Sequence, residues 1–155
     1  MLVREEILEA VSRDEISFYN TGGPPELDQF GFPIALGKEV YCYAVKSPEF
    51  LGTRINSFLL DDEIALAPYI DANTPPPSVM RPVTTDGFLL QPGVLYWVTP
   101  AVRVQSWKYH LSVLSSHRAS FLGIQVGGVP ERLVLSTIHP VKVYKKMPLA
   151  LVTFE

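Results

Sequence analysis

Asp86-Gly87-Phe88-Leu89-Leu90-Gln91-Pro92-Gly93 and Pro148-Leu149-Ala150-Leu151-Val152-Thr153-Phe154-Glu155 decide how this chain folds. The first is a short apolar run that breaks on a Gln-Pro-Gly corner. Proline fixes its own φ and glycine supplies the reverse bend, so a strand must turn there. The second is an apolar run bounded by charge, of strand rather than helix length. Between and before them lie more runs of the same kind. Strands are predicted at 16–19, 32–36, 39–44, 64–66, 88–90, 94–99, 102–106, 110–114, 120–126, 132–136, 141–144 and 149–154. Close, even spacing with turn residues between them is the signature of an all-β barrel or sandwich. The 14 prolines agree, since proline punctuates strands and is costly inside helices.

One helix stands out at the start. Val3, Ile7, Leu8 and Val11 fall on one face, while Arg4, Glu5, Glu6 and Glu9 cover the other. Ser12-Arg13-Asp14 ends it. So short a helix is marginal alone and needs a surface to pack on. Asn20-Thr21-Gly22-Gly23-Pro24-Pro25 and Asn73-Thr74-Pro75-Pro76-Pro77 read as loops, the second extended in polyproline fashion. Neither forces a second domain, so 1–155 is expected to be one domain, and 155 residues suffice to bury a core.

The net charge of −3 and the scattered basic residues argue against nucleic-acid binding, which needs clustered Lys and Arg. A small phosphate site needs only one or two Arg side chains and backbone amides. Cys42 is the single cysteine, in an alternating strand pattern, and is expected to be a buried structural thiol. The opening Met1-Leu2-Val3-Arg4-Glu5-Glu6 is charged and amphipathic, unlike a signal sequence, and no apolar run approaches the ~20 residues of a membrane span. The expectation is a cytoplasmic protein with no membrane partner. His110, His117 and His139 lack the convergent partners a zinc site requires. Asp61-Asp62-Glu63 reads as a solvated turn, and Ser115-Ser116-His117 has no acidic partner for a nucleophile. Among Tyr96, Trp97, Trp107, Tyr109 and Phe121 some are expected to fill the core, the alternative being that one facing a subunit junction stacks on a nucleobase.

Several stretches together resemble the dCTP deaminase/dUTPase superfamily, and dCTP deaminase most of all. Leu2-Val3-Arg4-Glu5-Glu6-Ile7-Leu8-Glu9-Ala10 followed by Glu15-Ile16-Ser17-Phe18 is similar to that family's first helix and strand. Phe32-Pro33-Ile34-Ala35-Leu36-Gly37-Lys38-Glu39-Val40-Tyr41 resembles its S-x-D-x-R-L-G strand pair, with Pro33 and Ala35 among the polar positions. Val141-Lys142-Val143-Tyr144, then Met147 and the run to Glu155, resembles the closing I-K-L-Y-P-G-M-x-I-A-Q-L-V-F-E hairpin, with Lys145-Lys146 for Pro-Gly. The pieces come in family order along the whole chain. The resemblance implies a dUTPase-like β-barrel with a short N-terminal helix. It also implies a homotrimer with sites between subunits and a nucleotide ligand. No cofactor is implied beyond Mg²⁺ carried in on a bound triphosphate.

The same alignment places Arg118-Ala119-Ser120-Phe121 on the family's phosphate motif R-S-S-L-x-R. Arg118 and Ser120 are therefore the expected phosphate-binding residues, a guanidinium fork and a hydroxyl. Ala119 replaces the other serine, and the second arginine has no counterpart. The Asp that activates water in dUTPases falls near Val126, and the general-base Glu of the deaminases falls on Ser136. Neither side chain can take up a proton as a carboxylate does. Gly127-Gly128 reads as the turn of a shortened hairpin. Glu131 is the remaining carboxylate candidate and needs a strand-register slip to reach the site. The chain ends at Glu155, where family enzymes continue into a tail that covers the nucleotide. The expected function is thus a catalytically degenerate relative that binds or sequesters a nucleotide. The alternatives are an active deaminase or pyrophosphatase with a displaced carboxylate, and a structural or protein-interaction trimer with no nucleotide site.

Overall fold

The computed structural model describes residues 1–21, 25–43, 72–74 and 78–155. The predicted strand at 64–66 and the acidic Asp61-Asp62-Glu63 turn lie outside these residues, as do parts of both predicted loops. The chain opens with helix α1 (Arg4–Ser12), whose free N-terminus is closed when Glu6 Oε2 accepts from the Val3 N–H at 2.9 Å. Ile7 and Ala10 are its buried residues, whereas Leu8, expected on the inner face, is exposed. Two backbone bonds moor the helix entry: Leu2 N–H to Phe154 O at 2.9 Å and Arg4 N–H to Gln29 O at 2.7 Å. A positive φ of 57° at Asp14 then turns the chain out of the helix.

Strands follow as β1 (Ile16–Tyr19), β2 (Phe32–Ala35), β3 (Glu39–Tyr43), β4 (Ser78–Pro82), β5 (Phe88–Leu90), β6 (Tyr96–Val98), β7 (Arg103–Ser106) and β8 (Leu111–Ser115). Helix α2 (His117–Phe121) precedes β9 (Ile124–Val129), β10 (Arg132–Thr137), β11 (Val141–Val143) and β12 (Pro148–Phe154). Among the described residues the strands form four sheets: β1–β7, β4–β3–β6–β10–β9, β11–β5 and β2–β12–β8. Every pairing is antiparallel. The architecture is all-β with short helices, as expected, although the ladders do not run continuously round a closed barrel. One apolar cluster joins the sheets, with Ile7, Ile16, Val40, Leu90, Leu135 and Phe154 among its fully buried members. Alternation explains which side chains point in: Phe32 and Ile34 are buried and Pro33 and Ala35 exposed, while Leu133, Leu135 and Thr137 are buried along β10. Cys42 is fully buried in this core, and burial pushes its thiol up to about 11.

Three segments differ from the sequence reading. The 120–126 run is not one strand, because residues 117–121 form α2 and the strand starts at Ile124. Ser116 supplies the reason: its Oγ accepts from the Ala119 N–H at 3.0 Å and donates to Pro148 O at 2.9 Å, capping a helix and tying it to β12. β4 has no counterpart among the predicted strands. It lies at the sheet edge with a proline as its last residue, where proline's missing donor does least harm. Finally, the β9–β10 turn is Pro130-Glu131, with Val129 paired to Arg132, and Gly127-Gly128 lies within β9.

Gly128 has φ +90°, and a Cβ there would come within 2.4 Å of Arg132 O, whereas one at Gly127 meets nothing within 4 Å. Gly128→Ala is therefore expected to cost at least about 1–2 kcal/mol from backbone strain alone. Gly127→Ala should change stability by less than about 0.5 kcal/mol. Urea unfolding of the matched pair checks this, and equal losses would contradict it.

Candidate functional site

The end of β8, helix α2, the start of β9 and the residue after β10 enclose an open cavity of about 400 Å³. Its described wall is Ser115, Ser120, Gly123, Ile124, Gln125, Val126 and Ile138. Each residue is placed by a local feature. Ser115 is the last residue of β8, and its Oγ clips the β9 backbone, accepting from Val126 N–H at 3.2 Å and donating to Val126 O at 3.3 Å. Ala119 is fully buried and seats α2, which leaves Ser120 and Phe121 on the outer side. Gly123, with φ +81°, turns the chain from α2 into β9. Ser136 lies opposite Gln125 in the β9–β10 ladder, and its Oγ lies 3.5 Å from Gln125 Oε1.

Ser120 and Val126, which the alignment assigned to two different motifs, thus share one cavity. Arg118 sits on the exposed side of α2, outside the wall, and its guanidinium has no hydrogen bond or ion pair among the described residues. Glu131 does not join them within the chain. It occupies the β9–β10 turn, a six-residue strand away from α2, or about 20 Å at strand rise. Among the described residues of the wall there is no carboxylate, and every polar side chain is a hydroxyl or an amide. Such groups can bind by hydrogen bonds but cannot carry a proton as a general base at neutral pH. Gly123 and Gln125 were not singled out from sequence, and Ser115 was weighed there only as a nucleophile and set aside. Only Gly123 carries a local signal, a glycine just past a capped segment. Among the described residues no three His, Cys, Asp or Glu side chains gather as metal ligands.

Glu131 belongs to a second cavity of about 410 Å³, between the β1–β7 ribbon and the hairpin tip, shared with Glu15, Tyr19 and Trp107. There Glu15 receives Lys108 Nζ at 3.1 Å and Tyr109 OH at 3.3 Å. The hydrogen bond from Lys108 holds the Glu15 carboxyl below the ordinary value of 4.5. A depressed carboxylate stabilises the fold in full above the unfolded-state value, and that stability is lost as pH falls through the lower folded-state one. Thermal midpoints should therefore drop as pH is taken below about 4.5. Lys108→Met should make that acid limb shallower, and an unchanged limb would remove Glu15 from the account. Trp107 is pinned by its Nε1–H to Asp14 O at 2.9 Å while its ring stays 77% exposed. Tyr96 and Trp97 are buried as expected of core aromatics, but Trp107 and Phe121 are not.

No family model matches the chain, and no curated protein matches it. Among solved structures it is similar to the 2'-deoxycytidine 5'-triphosphate deaminase from Agrobacterium tumefaciens, with a TM-score of 0.59 and 16% identity. The match covers 99% of this chain and 47% of that one, so the chain spans about half the length of the enzyme. At this identity the likeness is one of fold: the chain has a dCTP deaminase/dUTPase-like β fold. Among the described residues no helix is long and apolar enough to cross a membrane.

Proposed function

We propose that this chain binds and sequesters a nucleotide at the α2 cavity without turning it over. The observation that carries the reading is the cavity itself: it lies where the family alignment puts the phosphate serine, and its described wall holds no carboxylate. Ser120 and the nearby Arg118 supply phosphate contacts, while Gln125 and the apolar Ile124, Val126 and Ile138 suit the less polar part of a nucleotide. Any Mg²⁺ arrives on the phosphates. The protein works as a homotrimer with its sites between subunits. Phe121 is 91% exposed and Ile138 73% exposed beside the cavity, and apolar surface of that kind favours coverage by a second copy.

The test is a thermal-shift screen against dCTP, dUTP, ribonucleotides and cyclic nucleotides, with and without Mg²⁺, followed by a turnover assay on any ligand found. Ligand at ~100 times its dissociation constant stabilises the fold by roughly 2.7 kcal/mol. A selective shift without product is the expected result. Product formation would return the chain to the enzymes, with a displaced carboxylate such as Glu131. No shift at millimolar ligand would leave a scaffold used for protein contacts.

A further inference from the structure

We propose that His139 is the cavity's hydrogen-bond acceptor for the bound nucleotide, its bare Nε2 receiving an N–H or O–H from the base or sugar. The inference rests on the nucleotide reading above and adds a residue that the resemblance does not supply. Its starting point is Gly123, a wall residue of the cavity. A Cβ built on Gly123 would come within 2.9 Å of His139 Nε2 and 3.3 Å of its Cδ2. The ring edge that bears Nε2 is therefore laid against the Gly123 backbone, beside the described wall of the cavity, which does not itself include His139. Ile138, the residue before it, is itself part of the wall. A glycine at 123 is what admits the imidazole so close.

The tautomer follows from the other nitrogen. His139 Nδ1 lies 3.3 Å from Pro140 O. A peptide carbonyl only accepts hydrogen bonds, so in the neutral ring Nδ1 carries the proton and Nε2 keeps its lone pair. Nε2 has no hydrogen-bond partner among the described residues, and the ring is exposed. The other polar groups of the cavity are already partly committed: Ser115 Oγ holds the Val126 backbone, and Gln125 Oε1 faces Ser136 Oγ. What remains for a ligand is the Gln125 amide N–H as donor, the Ser120 hydroxyl, and His139 Nε2 as the nitrogen acceptor. A donor and an acceptor of this kind complement a nucleobase edge, which presents carbonyl or ring-nitrogen acceptors beside an N–H.

The experiment is long-range ¹H–¹⁵N correlation NMR of the imidazoles, which number only three in this chain. It is run on the full chain alone and during titration with dCTP, with affinities measured in parallel for His139→Ala and His139→Gln. In the free protein His139 should show the Nδ1–H tautomer. On adding dCTP its Nε2 resonance should move while that of His110 stays. His139→Ala should bind dCTP about tenfold more weakly, the worth of one hydrogen bond, and His139→Gln, which keeps an acceptor, should recover part of the loss. Binding of dCTP with a static Nε2 resonance and equal affinity for His139→Ala overturns this inference and leaves the nucleotide reading standing. An absence of dCTP binding in both the titration and the thermal-shift screen overturns the two together.

Discussion

Phe154→Ala is expected to lower the unfolding free energy by about 3–5 kcal/mol, the range for truncating a buried phenylalanine. Phe154 has no exposed surface and belongs to the apolar cluster that joins the sheets among the described residues. It lies on β12, the middle strand of its sheet, directly opposite Leu111 of β8. Its carbonyl also receives the Leu2 N–H that moors α1. A cavity at that position is thus shared by helix and sheet, and neither can collapse into it without moving the other. The control is Phe121→Ala: the same residue type at 91% exposure should change monomer stability by no more than about 0.5 kcal/mol. Urea unfolding of both variants gives the answer, with an unchanged m-value indicating that stability alone has moved. A Phe154 loss below about 1 kcal/mol would mean that the closing strand does not seal the core.

That closing strand was also the most legible part of the sequence, and for the same reason. Apolar side chains at alternating or continuous positions must be buried somewhere, so β12, β5 and β1 are marked by their composition alone. Helix α2 was not legible because five residues are too few to show a helical period. Its only signal is Ser116, whose capping role appears once Ala119 and Pro148 stand beside it. The β9–β10 turn misled in the opposite way. Gly127-Gly128 has the composition of a tight turn, but the pairing of Val134 and Leu133 with those glycines places the bend at Pro130-Glu131. Register decided it, and register depends on which face of β10 is buried. The cavity divides along the same line. Arg118, Ser120 and the positions of Val126 and Ser136 came from alignment of local motifs. Gln125 and His139 acquire meaning only where β9, α2 and the segment after β10 converge, which no local pattern encodes.

Arg118→Ala is expected to weaken binding of a nucleoside triphosphate by about 10- to 100-fold while leaving the fold untouched. The first half follows from the strength of a hydrogen bond between an arginine and a phosphate. Such charge-assisted bonds are worth about 1.5–3 kcal/mol, and each 1.4 kcal/mol is a factor of ten. The second half follows from its setting: Arg118 is exposed on the outer side of α2 and holds no ion pair among the described residues, so its removal orphans nothing. The decisive comparison is with deoxycytidine, which lacks the phosphates. If Arg118 reaches past the cavity rim to phosphate, deoxycytidine should bind wild type and Arg118→Ala alike. The deficit for dCTP should also shrink as salt is raised, because screening weakens exposed charge pairs. An equal loss for nucleoside and triphosphate would mean that the substitution disturbs α2 and the Ser120 wall rather than a phosphate contact. No loss for either would remove Arg118 from the site and leave the neutral cavity, with Ser120, Gln125 and His139, to hold the ligand unaided.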